Sequence, residues 1–248
     1  MDITVCIKRV PDTETRIRID DGASIDTSGV KFVMSPYDEF AVEAALRIRE
    51  EVGGGEVSVI TLGDQASGET LRSALAMGAD RAVLLEGGST MDGLVVAKSL
   101  AAEPEVKAAD LVLLGVKAAD DDQQQVGPML GTILERPCAT AVASFDLESG
   151  QVVAHREVEG GVEIVELDLP AVLTITKGAF EPRYASLKGI MAAKKKPLET
   201  RSASSPESRL KVRKLEPPPA RPEGKIVGEG PEAAAELARL LREEAGVL

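Results

Sequence analysis

The 248-residue chain contains no Trp, four Phe and two Tyr. With so few rings it offers little on which nucleic-acid bases could stack, and its interior has to be filled by aliphatic side chains. Positive charge is also short: 29 Lys and Arg face 41 Asp and Glu, a formal charge of −12. Such a field repels nucleic acid and anionic membranes at long range, so contacts with soluble proteins are expected. No apolar stretch approaches the ~20 residues that a membrane-spanning helix needs, which argues against direct membrane insertion. The opening Met1-Asp2-Ile3-Thr4-Val5-Cys6 reads as a strand without a positively charged leader, pointing to a cytoplasmic protein if the cell is bacterial.

Cysteine and histidine are scarce in the same way. Cys6 and Cys138 are the two cysteines, both within apolar β-like runs and neither in a C-x-x-C spacing, so both are expected to be buried thiols. His155 is the sole histidine and lies in an alternating strand segment. A catalytic triad or a zinc site would rest on that one residue, so no metal site and no catalytic residue is expected. The dinucleotide fingerprint G-x-G-x-x-G is missing after the first strand, where Lys8-Arg9-Val10-Pro11-Asp12 stands instead. Neither the phosphate loop G-x-x-x-x-G-K-[ST] nor the nucleophile elbow G-x-S-x-G occurs.

Hydrophobic residues make up 44% of the chain. They form short continuous runs at residues 3–7, 57–62, 82–85 and 111–114, the pattern of strands covered on both faces of a parallel sheet. Helical stretches separate these runs. The first opens at Ser35-Pro36-Tyr37-Asp38, with Ser35 suited to cap, Pro36 to the first helical position and Asp38 to the positive end of the helix dipole. Tyr37, Ala41, Ala44, Ile48 and Val52 share one face before Gly53-Gly54-Gly55 ends the helix. A second helix carries Leu71, Ala74 and Leu75 and stops at Gly78, and a third is expected from about Met91 to residue 102. This alternation predicts an α/β, doubly wound, mostly parallel, Rossmann-like sheet, with ligand loops after Ile7, Leu62 and Leu114.

Past Pro137 the pattern changes to three antiparallel strands, residues 138–147, 151–158 and 162–169, joined by Glu148-Ser149-Gly150 and Glu159-Gly160-Gly161. This hairpin excursion is followed by a buried strand at residues 170–175 that returns to the main sheet. Residues 1–196 are therefore expected to form one α/β domain that carries the ligand loops. Residues 197–230 are rich in Ser, Pro, Lys, Arg and Glu and have too few apolar side chains for a core, so they read as an extended arm. A terminal helix follows Gly230-Pro231, with Ala234, Leu237, Leu241 and Ala245 as a stripe that a partner subunit could cover; arm and helix make a second unit, residues 197–248.

The most informative loop is Gly115-Val116-Lys117-Ala118-Ala119-Asp120-Asp121-Asp122-Gln123-Gln124-Gln125-Val126-Gly127, directly after the fourth apolar run. If Asp121 or Asp122 caps the next helix, the free amides of its first turn could hold a phosphate, with Lys117 and the Gln side chains adding hydrogen bonds. Three Asp beside three Gln also suit a plain hydrophilic helix start, and bare aspartates would repel a phosphate unless they turn away. Composition alone leaves the ligand open, a weakly supported magnesium site included.

Cys6-Ile7-Lys8-Arg9-Val10, Ala74-Leu75-Ala76-Met77-Gly78-Ala79-Asp80-Arg81, residues 110–115 and Asp120-Asp121-Asp122 resemble, in order and spacing, successive blocks of electron-transfer flavoprotein beta subunits. The likeness continues through Arg156-Glu157-Val158-Glu159-Gly160-Gly161-Val162-Glu163, residues 170–174 and Glu181-Pro182-Arg183-Tyr184-Ala185-Ser186-Leu187, covering most of residues 1–196. It implies an electron carrier without catalysis of its own, holding a structural AMP and pairing with an alpha subunit that binds most of an FAD. Its electrons would pass from acyl-CoA and related dehydrogenases to a membrane quinone oxidoreductase. By the same resemblance, Cys6, the Ser35-Pro36-Tyr37-Asp38 turn and Leu62 contact adenosine, while the loop from Gly115 to Val126 surrounds ribose and phosphate, with Gln124, Gln125 and neighbouring amides donating.

Val126 stands where the family often has Thr, which removes a hydroxyl from the phosphate shell. Thr13 replaces a flavin-touching aromatic of some relatives, leaving Tyr37 as the flavin-facing aromatic. Glu157 matches an acidic residue that pairs with an alpha-subunit Arg. Leu187, which the residues alone would assign to a helix core, matches an exposed anchor for dehydrogenases, with Ile190 and Met191 beside it and Lys194-Lys195-Lys196 in support; Ala192 replaces a Lys of some relatives. A bifurcating relative, with a second FAD in the AMP position, stays open. The competing readings are an adenine-nucleotide hydrolase, which lacks a phosphate-binding Gly motif, and a stand-alone nucleotide-binding regulator, which leaves the arm and Leu187 unexplained.

Overall fold

A computed structural model describes the chain except for residues 21, 23, 88–91, 149, 205 and 221–222. The expected start of the third helix at Met91 and the turn residue Ser149 lie outside the described residues. Each continuous apolar run forms a strand of one parallel sheet: β1 (Ile3–Cys6), followed by the short antiparallel pair β2 (Arg9–Pro11) and β3 (Phe32–Met34), then α1 (Pro36–Val52), β4 (Val57–Gly63), α2 (Ser67–Met77) and β5 (Arg81–Glu86). Next come α3 (Gly93–Ala102), α4 (Pro104–Ala108), β6 (Leu111–Gly115) and α5 (Val126–Ile133). The second half holds β7 (Cys138–Glu148), β8 (Gln151–Val158), β9 (Gly161–Asp168), β10 (Ala171–Ile175), α6 (Leu187–Ala193), β11 (Leu198–Ser202) and α7 (Ala233–Glu243).

Among the described residues the main sheet has nine strands in the order β11-β5-β4-β1-β6-β10-β7-β8-β9. Its central strands are buried on both faces, which is why their sequences do not alternate. On one face Ile3, Val5, Leu111 and Leu113 pack with Ala41, Ala44, Ala45, Leu71 and Leu75 of α1 and α2. On the other, Cys6, Ile60, Val112 and Leu114 pack with Leu100, Val106 and Leu130 of α3, α4 and α5. Small Ala side chains let the helices lie close to the sheet, as the aromatic-poor composition requires.

The three antiparallel strands form the expected hairpin excursion, and because β7 pairs parallel with β10 the excursion continues the main sheet. Other expectations change. Leu198–Ser202, read from sequence as arm, forms edge strand β11 parallel to β5. Its residues Leu-Glu-Thr-Arg-Ser carry no apolar run because only one edge is paired and ionic contacts hold it. Arg201 binds Glu103 at 3.0 Å and Glu105 at 2.8 Å, and Arg81 of β5 meets the same Glu105 at 2.8 Å. On α7 the buried residue is Leu240, which the expected stripe omitted, while Leu237 is exposed. Cys138 is only half-buried, unlike Cys6, and both are free thiols.

Candidate functional site

In an open α/β sheet a ligand crevice lies outside the carboxyl ends of the strands where the strand order reverses. Here β1 runs through α1 to β4 on one side, while its other neighbour is β6, so the reversal falls between β1 and β6. The loops from Lys8 and from Gly115 leave the sheet at this point. Leu62, near the end of β4, completes the same edge and is half-buried.

Asp38 occupies the crevice. Expected to favour the positive end of the helix dipole and, by resemblance, to border adenosine, it is buried in the first turn of α1 and accepts hydrogen bonds from the Lys8 amide at 2.7 Å and the Gly115 amide at 2.9 Å. Burial pushes its carboxyl up to about 7, against the pull of those two amides and of the Lys8 ammonium. The contact accounts for glycine at 115: a Cβ there would meet Asp38 Oδ1 at 2.5 Å and the Tyr37 carbonyl carbon at 2.7 Å. Beneath it, burial and then the Asp38 charge push the Cys6 thiol far above its usual range, so it stays protonated and chemically inert. Ser35 does not cap α1 through its side chain; its hydroxyl reaches the Lys117 carbonyl at 3.5 Å instead.

The three aspartates of the loop have partners that the local sequence did not reveal. Lys8 Nζ lies 2.8 Å from both Asp120 and Asp121, and Lys117 Nζ lies 2.8 Å from Asp122. Burial works against the Lys8 charge, but the two carboxylates outweigh it and hold the ammonium above its usual value. Neither Asp121 nor Asp122 caps α5, whose N-cap position is Gln125 without a side-chain cap bond. The loop is pinned by Val116 N to the Ile175 carbonyl at 2.8 Å and by Asp122 N to the Ala118 carbonyl at 3.0 Å. Asp122 and Gln124 take left-handed conformations, φ 51° and 55°, which turn the chain sharply into the helix.

By helix geometry the first-turn amides of α5 at Val126 and Gly127 have no intrahelical acceptor and point toward the loop. Gly127 brings this turn against β10, since a Cβ would meet Thr174 Cγ2 at 2.2 Å. Gln123 and Gln125 come close to Gly93 at the start of α3, whose N-cap is Asp92, while Gln124 is exposed. Tyr37 is half-buried with Lys117 Nζ 5.7 Å from its ring centre. Loop carboxylates largely offset by two lysines, beside helix-end amides, can receive an anion such as a phosphate. Among the described residues no cluster of His, Cys, Asp and Glu could hold a metal ion.

The expected partner-facing residues lie elsewhere. Glu157 is exposed near the β8–β9 turn, three strands from β6. Leu187 begins α6 and is 83% exposed, with Met191 at 63% and Ile190 at 44%. Sequence reasoning passed over Tyr184, which is 99% exposed and just precedes them. Behind this segment Glu43, buried on α1, binds Arg183 Nε and Arg47 Nε at 2.7 Å each, and Arg47 donates to the carbonyls of Ala179 and Glu181. Lys196 does not extend the expected charge cluster; its ammonium donates to the Leu75 and Ala79 carbonyls at the end of α2.

Residues 23–206 match the family described as Electron transfer flavoprotein domain. Over the full length of both chains the protein is 40% identical to the electron transfer flavoprotein subunit beta of Bradyrhizobium diazoefficiens and 38% identical to that of Bacillus subtilis. It is 39% identical to the Bos taurus subunit beta, over 96% of this chain and 97% of that one.

Proposed function

Because the chain belongs to the electron transfer flavoprotein family, as a homologue of its beta subunits, we propose that it holds AMP at the carboxyl edge of its sheet within a heterodimeric electron carrier. The partner is an alpha subunit that makes most of the contacts to FAD. The FAD supplies the redox chemistry; this chain positions and encloses. Electrons pass from acyl-CoA and related dehydrogenases to a membrane quinone oxidoreductase, and in a bacterial cell the complex works in the cytoplasm. Among the described residues no helix is long and apolar enough to cross a membrane.

The observation that carries the AMP assignment is the pairing of Asp120, Asp121 and Asp122 with Lys8 and Lys117 beside the open first turn of α5. That pairing cuts most of the repulsion which three bare carboxylates would exert on a phosphate. Cys6, Ser35, Pro36, Tyr37, Asp38 and Leu62 border the adenosine side, and the loop from Gly115 to Val126 borders ribose and phosphate. Val126 lacks a hydroxyl, so its backbone amide is the donor there. Leu187, Ile190 and Met191 form the dehydrogenase anchor, Glu157 faces the alpha subunit, and the chain beyond β11 with α7 packs on that subunit.

Denaturing the purified heterodimer should release about one AMP per complex, read by mass spectrometry. Finding a second FAD in its place assigns the bifurcating type, and finding neither removes the loop assignment.

A further inference from the structure

The carboxylate of Asp38 bridges the two chain segments that flank the β1–β6 crevice. Its two oxygens take different donors, Oδ2 the Lys8 amide and Oδ1 the Gly115 amide, residues 30 and 77 positions away. At 5% exposure it has little surface left for a ligand. A side chain so placed acts on the loops more than on anything the loops hold.

We propose that Asp38 is a positioning residue for the nucleotide site, latching the backbone of Lys8 to that of Gly115 and so fixing the separation of the two loops that face the nucleotide. The inference rests on the AMP reading above and adds to it how the cleft is held open. Each loop then carries its own charge partner across the crevice: Lys8 brings its ammonium to Asp120 and Asp121, and Gly115 leads into the segment that bears them. A change in the latch shifts both at once. Gly115 is part of the device, because any Cβ there would displace the carboxylate.

The latch also has a pH response. Cys6 on β1, Lys8 just beyond it and Asp120 in the loop after β6 are the titratable groups that bear on Asp38, with Tyr37 and Glu39 its neighbours on α1. Cys6 stays neutral and Lys8 stays charged across the neutral range, so the change near pH 7 is that of Asp38 itself. The ionised form accepts both amides with full charge, while the protonated form gives up part of one bond. Sign follows directly: nucleotide is held best above pH 7 and more weakly below it.

The test uses the complete heterodimer, co-expressed with its alpha subunit, as wild type, Asp38→Asn and Asp110→Asn. Asp110 is the matched control, a carboxylate that accepts the Asp2 amide at 2.8 Å at the opposite end of the same two strands. AMP release is followed from pH 6 to 8, alongside thermal unfolding and the flavin spectrum. Expected is release about tenfold faster in Asp38→Asn, the scale of one charge-assisted hydrogen bond. The part of the pH dependence that exceeds the phosphate's own titration, near pH 6, should be lost in that variant, and Asp110→Asn should match wild type. If Asp38→Asn does not assemble, amide exchange on the wild type decides: protection at Lys8 and Gly115 should fall together below pH 7. Equal release and an equal pH profile in Asp38→Asn, or protection unchanged between pH 6 and 8, overturns the latch. A wild-type complex without AMP overturns the nucleotide reading and the latch with it.

Discussion

Replacing Gly127 by Ala tests whether the helix that ends the ligand loop is seated as the structure has it. The new methyl would lie 2.2 Å from Thr174 Cγ2 of β10, while the next atoms, Thr174 Cβ and Leu114 Cδ1, are 3.7 and 4.0 Å away. One methyl group is therefore the whole obstacle, and it sits more than an ångström inside an ordinary van der Waals contact. Forcing extra volume into such a place costs ~1–3 kcal/mol, from which up to ~1 kcal/mol is recovered because Ala is the better helix residue. Thr174→Ser removes the offending methyl yet keeps the hydroxyl that accepts the Ala141 amide at 3.0 Å. Alone it should cost ~1 kcal/mol for one buried methyl. The double variant should be no less stable than Thr174→Ser, a coupling of ~1–2 kcal/mol. Urea unfolding of the heterodimer gives the stabilities, and AMP per complex should fall in Gly127→Ala and return in the double variant. A double variant equal to the sum of the singles would refute the placement of α5 against β10.

Other outcomes follow from the same contacts. Leu187→Ala should slow electron transfer from an acyl-CoA dehydrogenase about tenfold, the worth of one apolar anchor at ~1.5 kcal/mol, with flavin spectrum and AMP content unchanged. Glu43→Gln should slow it several-fold through a looser Arg183 and raise protease sensitivity around Tyr184; equal rates and equal cleavage would separate that segment from Glu43. Hydrogen bonds from Arg201, helped by Arg81, hold the Glu105 carboxyl at about 2, below its usual 4.5, so its contribution is present above pH 4.5 and lost as pH falls toward 2. The span amounts to ~3 kcal/mol, and Glu105→Gln should flatten that part of an acid-unfolding profile, whereas an unchanged profile would mean that the pairing adds nothing to stability.

Much of the fold was legible in order along the chain. The runs ending at Ile7, Leu62, Leu85 and Leu114 became β1, β4, β5 and β6, because burial on both faces leaves a continuous apolar signature that any window reveals. Pro36 and Gly53 marked the ends of α1, since each restricts or frees the backbone by its own chemistry. Strand β11 was not legible: its Glu199, Thr200 and Ser202 are exposed, and it is held by an arginine whose acids lie almost a hundred residues earlier.

The candidate site divides along the same line. Sequence by itself determined that a polar loop follows the strand ending at Leu114, that a glycine begins it, and that the neighbouring blocks resemble one family. It could not determine what the charges in that loop do. Asp38 was read as a dipole partner and became a buried bridge; one of Asp121 and Asp122 was a candidate cap, and both became lysine partners. The reason is physical: propensity and periodicity act over a few neighbouring residues, whereas a charge is satisfied by whatever the fold brings within 3 Å. Lys8 meets Asp120 across 112 positions of chain, and only the sheet, by laying β1 beside β6, decides that they are neighbours.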